Sequence, residues 1–117
     1  MLTVHHVVAF AVLAVTWGAA IVGFVAYRRG TAGFAVQHLL ALAQTVLIAQ
    51  VALGLLLLSR HYRAPDKLHY AYGTFALLAV LAPWLYAPEE PRRRLLWFAG
   101  STLVAGALAV RAYMTAT

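Results

Sequence analysis

The side chains able to do chemistry are few in this chain, and their spacing is informative. There are five histidines (His5, His6, His38, His61 and His69), three glutamines (Gln37, Gln44 and Gln50) and three acids (Asp66, Glu89 and Glu90). Cysteine is absent, which excludes disulfides, thiolate metal sites and cysteine nucleophiles. One spacing recurs three times: His5 is followed four residues on by Ala9, Gln50 by Gly54 and His69 by Gly73. On a helix, residues four apart stack on one face, so each pair presents a polar group with a small residue one turn along. Two imidazoles, each with clearance for a flat ring, suit bis-imidazole ligation of haem iron. Tetrahedral zinc is less well served, because neither carboxylate nor thiolate lies close by.

The elements that must position these residues follow from composition. The chain has 117 residues, 64% hydrophobic and only 10% charged, against roughly 25% charged in a soluble domain. That excludes a soluble globular domain, a disordered tail and a nucleic-acid module. The net charge of +6 arises from 9 basic against 3 acidic residues, clustered between apolar runs as in membrane proteins. Four such runs, at about 4–27, 34–58, 68–86 and 95–114, each approach the ~20 residues needed to cross a bilayer. They lack the alternation of a membrane barrel. The first has no basic leader and is too long for a signal peptide, so it is expected to be a retained helix. The predicted fold is all-α: a single domain over residues 1–117, an integral membrane bundle of four transmembrane helices, antiparallel in sequence through short connections.

Such a bundle sorts the polar residues by depth. The first and third helices begin on the same side, so His5, His6 and His69 share one leaflet. Gln50 lies nine residues before Ser59, roughly 13 Å along the axis, and approaches that leaflet from the midplane. His38 belongs to the opposite end. Arg28, Arg29, Arg92, Arg93 and Arg94 flank the first and third connections; Arg60, Arg63, Lys67 and Arg111 lie on the other side. The positive-inside rule then favours both termini outside by one charge. The expected location is a prokaryotic plasma membrane.

Three segments, in order, resemble a known family. His5-His6-Val7-Val8-Ala9 is similar to an HRxxA-like helix start, with His6 where the family has arginine. Gln50-Val51-Ala52-Leu53-Gly54 is similar to a QxxxG segment on the next helix. Leu68-His69-Tyr70-Ala71-Tyr72-Gly73 is similar to an LHxxxA segment on the one after, with glycine for alanine. The family is haem A synthase, whose halves are four-helix membrane units carrying b-type haem, and the resemblance covers about the first 75 residues. It implies that His5 and His69 are axial haem ligands. The family's catalytic unit also carries an acid in an outer loop after a preceding helix. This chain starts at the HRxxA-like helix without a counterpart to that loop, so the resemblance favours an electron carrier over a haem hydroxylase.

On that reading Ala9, Gly54 and Gly73 leave room for the macrocycle, Gln50 hydrogen-bonds in the pocket, and His6 is the reserve ligand. Arg60, Arg63 and Lys67 are candidates to pair with the haem propionates. Electrons would pass to or from a quinone or a redox protein. Each residue also has a plainer role. His5 and His6 suit solvated positions at a helix start, and His69 an interhelical hydrogen bond. His61 suits a solvated loop, or else a haem-edge or proton-relay position. Gln37 and His38 suit interfacial anchoring, or with Gln44 a quinone site. Gln44 and Gln50 suit polar contacts between helices. Tyr27, Tyr62, Trp84, Tyr86, Trp97 and Tyr113 suit the aromatic belts. Arg92, Arg93 and Arg94 set topology first and attract anionic lipid second. The small residues of the fourth helix suit internal packing or contact with a partner chain, in a homo-oligomer or a larger respiratory complex, and that helix is expected to be structural. The rival to an electron carrier is a cofactor-free accessory subunit of a larger respiratory membrane complex. A small transporter is disfavoured, because no acid lies within the apolar runs.

Overall fold

The computed structural model describes residues 2–30, 33–60 and 67–116. They form four helices, α1 (Leu2–Arg29), α2 (Phe34–Ser59), α3 (Leu68–Tyr86) and α4 (Pro91–Ala116), and no strand. All four are long and apolar enough to cross a membrane. The bundle measures 47 × 24 × 19 Å, and its long axis matches the ~40–45 Å of a bilayer with its headgroups. The protein is an integral membrane four-helix bundle, as the hydropathy pattern predicts.

Boundaries agree for α2 and α3, and α1 runs about two residues further at each end. The larger difference is α4, which begins at Pro91 rather than near residue 95. Two local features start it early. Proline is preorganised for a first helical position, and the Glu90 carboxylate accepts from the Arg92 and Arg93 backbone N–H groups at 3.1 and 2.8 Å. At the first connection, Gly30 closes α1 in the left-handed region at φ +73°.

The Glu90 cap carries a pH dependence. Its hydrogen bonds from Arg93 and Arg92 hold the carboxyl below its ordinary value of 4.5. A depressed folded-state value means that the stabilisation is fully present above the ordinary value and fades as pH falls through the folded one. We expect hydrogen-exchange protection of the Arg92 and Arg93 amides, corrected for intrinsic rates, to hold at neutral pH and fall as Glu90 protonates. In Glu90→Ala, protection at neutral pH should already be low. Protection unchanged by either acid or substitution would show that the cap contributes nothing.

Packing does not follow chain order evenly. α1 packs extensively on both α2 and α4, and α3 on α4, while α2 touches α3 only lightly; α1 and α3 lie across the diagonal. Small residues dictate this. A Cβ on Gly23 would fall 2.9 Å from the Ala99 Cβ, and one on Gly106 would fall 3.2 Å from Thr16 Oγ1 and 3.3 Å from Trp17 Nε1. In a membrane, where helices gain little from hiding apolar surface from one another, such close approach supplies van der Waals attraction. Two buried clusters fill the interior. One contains Val12, Leu47, Ala76, Val80 and Ala105; the other contains Ala19, Ala26, Leu40, Ala43 and Leu95.

The α2–α3 side is held by polar bonds. Gln44 is buried, donates from Nε2 to the Val80 carbonyl (3.2 Å) and accepts from Trp84 Nε1 (2.9 Å). The same stretch of α3 contains Pro83, which removes one helical N–H and so loosens the local ladder.

Candidate functional site

At the end of the bundle where α1 and α3 begin, all four helices contribute to one cluster. His5 comes from α1 and His69 from α3, and their ring centroids are 6.3 Å apart with the planes at 82°. These helices are diagonal neighbours, so the imidazoles span the middle of the bundle. His6 is exposed, with its ring 6.4 Å from that of His5.

The neighbours of His69 define its chemical state. Its Nδ1 lies 2.7 Å from the Ala112 carbonyl of α4. A carbonyl only accepts, so Nδ1 carries a proton, and in the neutral imidazole Nε2 is then the nitrogen with the lone pair. Fixing one ring nitrogen against a backbone carbonyl is how proteins commonly orient a metal-binding imidazole. It also gives α4 a part in the site, through its backbone, which the expectation of a purely structural helix does not include.

His5 is positioned from α2. Gln50 Nε2 donates to the His5 carbonyl at 2.8 Å, tying the first turns of α1 to α2. A Cβ on Gly54 would lie 3.3 Å from His5 Cε1, so the missing side chain there accommodates the imidazole. Two buried polar atoms in this cluster, His5 Nδ1 and Gln50 Oε1, have no hydrogen-bond partner. Unpaired buried polar atoms are uncommon and costly, and here two occur within one small cluster.

The other sequence candidates distribute as follows. Ala9 is half-buried on α1, and Gly73 faces open space, where a Cβ would meet nothing within 4 Å. Arg60 and Lys67 are exposed where α2 ends and α3 begins, at the histidine end of the bundle. Arg63 and His61, with Tyr62 and Asp66, lie outside the described residues. His38 is exposed at the start of α2, with Nδ1 3.0 Å from the Phe34 carbonyl and its ring 3.9 Å from that of Phe34. Gln44 is engaged with α3, as above. Both described acids, Glu89 and Glu90, lie just before α4, at the end opposite the histidines.

Two partners escaped the sequence reading. The Ala112 carbonyl has no signature, because every residue carries one. The bond from Trp84 to Gln44 is legible only as the rule that a tryptophan N–H near the apolar region seeks an acceptor.

Chemically, the cluster offers two imidazoles and no third ionisable ligand: among the described residues no three of His, Cys, Asp or Glu gather to hold a metal ion. That donor set is too small for a structural zinc ion, which takes four protein ligands. It is the right size for haem iron, whose macrocycle supplies the other donors. Two imidazoles on opposite sides of one first-row metal ion, with bonds of about 2.0–2.1 Å, would have centroids roughly 6 to 6.5 Å apart, and the observed separation is 6.3 Å. The residues present therefore fit such a group. No known family, curated protein or solved structure matches the chain.

Proposed function

We propose that the protein is a small membrane haem b carrier in which His5 and His69 would hold the iron through their imidazoles. The observation that carries this reading is their separation across the bundle, 6.3 Å between centroids, with His69 oriented by the bond from Nδ1 to Ala112. The order of the HxxxA-, QxxxG- and HxxxG-type segments, and the likeness to one four-helix half of haem A synthase, support it further.

Each residue then has a defined task. Ala112 holds His69 in one tautomer, and Gln50 anchors the turn that bears His5. Gly54 admits the His5 ring, and Ala9 and Gly73 keep the adjacent faces of α1 and α3 low. Arg60 and Lys67 offer cations to propionates at the membrane surface, and Arg63 is a third candidate by its place in the sequence. Bound haem supplies a one-electron couple. Among the described residues the cluster holds no general acid or base beyond the imidazoles themselves, and this supports electron transfer over hydroxylation. A quinone or a redox protein is the exchange partner, and the positive-inside bias puts both termini and the histidine end outside a prokaryotic plasma membrane.

The test is a visible spectrum of the detergent-purified protein, oxidised and then dithionite-reduced, with a pyridine haemochrome assay. Sharp reduced α and Soret bands with about one haem b per chain are expected for a low-spin bis-histidine site. A colourless protein after haem-supplemented expression would overturn the proposal and leave a cofactor-free accessory subunit, with His69 serving as an interhelical hydrogen-bond donor.

A further inference from the structure

The opposite end of the bundle carries a second feature that the histidine cluster does not use. The end of α1 and the start of α4 meet there, leaving a cleft lined by Ala26, Tyr27, Gly30, Glu90, Arg92 and Leu95. Its base is apolar, since Ala26 and Leu95 are buried. Arg92 lines it and is exposed, and its chain neighbour Arg93, with Arg28 and Arg29 between the lining residues Tyr27 and Gly30, is exposed at the same end of the bundle.

The three consecutive arginines that open α4 are not equivalent. Arg94 is drawn back onto the bundle, with its guanidinium 5.7 Å from the Trp84 ring centroid and 5.2 Å from that of Phe98. Arg92 is held at the cleft instead, 4.6 Å over the Tyr27 ring. A guanidinium stacked on an aromatic face keeps its edge N–H groups for a phosphate or carboxylate and has already lost much of its rotational freedom. The one acid lining the cleft is Glu90, and its two oxygens are taken up by the Arg92 and Arg93 backbone N–H groups. With those N–H groups capped, recognition of an anion falls to the guanidinium groups. The cleft opens where α1 leaves the apolar region, so an anion there can carry hydrocarbon alongside the exposed Val22 and Val25 of α1.

We infer that this cleft is a binding site for the phosphate headgroup of an anionic phospholipid, with Arg92 as the ordered contact and Arg28 and Arg29 as the surrounding cations. Basic pockets between transmembrane helices are a recognised way of holding such headgroups. The inference does not depend on the histidine pair.

The experiment is a thermal-unfolding titration of the full chain in neutral detergent with phosphatidylglycerol, phosphatidylcholine or inorganic phosphate. Phosphatidylglycerol is expected to raise the melting temperature at concentrations where phosphatidylcholine does not. In the triple variant Arg28→Gln, Arg29→Gln, Arg92→Gln, the half-maximal concentration should rise by roughly fivefold for each arginine lost. Arg111→Gln is the matched control, because Arg111 also lies over an aromatic ring, 5.5 Å from the Tyr72 centroid, at the far end of the bundle; its titration should equal that of the unmodified chain. Equal stabilisation by the two lipids would overturn the proposal on the unmodified protein alone, whether or not the triple variant folds. Reproduction of the whole shift by inorganic phosphate would overturn the lipid as the source, and an unchanged titration in the triple variant would overturn the location.

Discussion

Replacing His69 with alanine is expected, on the proposed haem b reading, to abolish haem retention, taking the reduced α band from about one haem per chain to background. The same substitution at His5 should destroy the low-spin spectrum, because it removes the other imidazole of the 6.3 Å pair. His6→Ala should leave the spectrum unchanged, since the exposed His6 ring approaches His5 but forms no pair with His69. Haem loss through misfolding is separated from ligand loss by adding imidazole, which refills a truncated site only where the surrounding pocket survives. An unchanged spectrum in His69→Ala would show that the ligand assignment is wrong. Weakened binding is also expected if α4 is truncated before Ala112, because Ala112 orients His69; outer partners of this kind typically contribute 10–100-fold in metal affinity.

Gly23→Leu should produce the largest loss of stability of any single change on the α1–α4 seam. A methyl group alone at this position would lie 2.9 Å from the Ala99 Cβ, 3.6 Å from the Ala99 Cα and 3.8 Å from Leu40 Cδ2. The first two contacts include backbone or a side chain with no freedom to turn away, so α1 and α4 must separate. Overpacking of this kind costs about 1–3 kcal/mol, and more where the backbone must move; leucine at Gly23 belongs at the upper end. Gly18→Ala makes the comparison, because a Cβ there meets nothing within 4 Å and alanine favours the helix by about 0.8–1 kcal/mol. Unfolding in a mixed-detergent titration measures both. Equal stability of the two variants would show that Gly23 is not a point of close approach.

The seam also explains why the connection-length argument is only partly sufficient. Short connections pair α1 with α2 and α3 with α4, as expected, yet α2 and α3 touch lightly although their connection is short too. Close helix approaches form at glycines, where Gly23 meets Ala99 and Gly106 meets Thr16. Large apolar side chains on α2, such as Leu42, Leu55 and Leu56, remain exposed on the membrane-facing surface. Gln44 fastens the looser side with two hydrogen bonds to α3, each worth roughly 0.6 to 1.7 kcal/mol in a membrane bundle. Thr16 and Thr102, both fully buried, escaped notice as polar residues because a threonine among valines and alanines barely changes the local hydropathy.

By itself the sequence determined the number of spans, their lengths to within a few residues, and the end of the bundle to which each polar residue belongs. These are one-dimensional properties: a run of apolar residues sets a span, and a count of residues times the helical rise sets a depth. That reasoning suffices to put His5, His6 and His69 in one leaflet and His38 in the other. Only the tertiary structure decided that α1 and α3 face each other diagonally, that the His5 and His69 rings stand 6.3 Å apart, and that Ala112 accepts from His69. Helical spacing shows which residues share a face of their own helix but not which other face that one meets. The meeting depends on matched small residues in segments as far apart as Gly23 and Ala99, and on backbone carbonyls, which carry no residue identity.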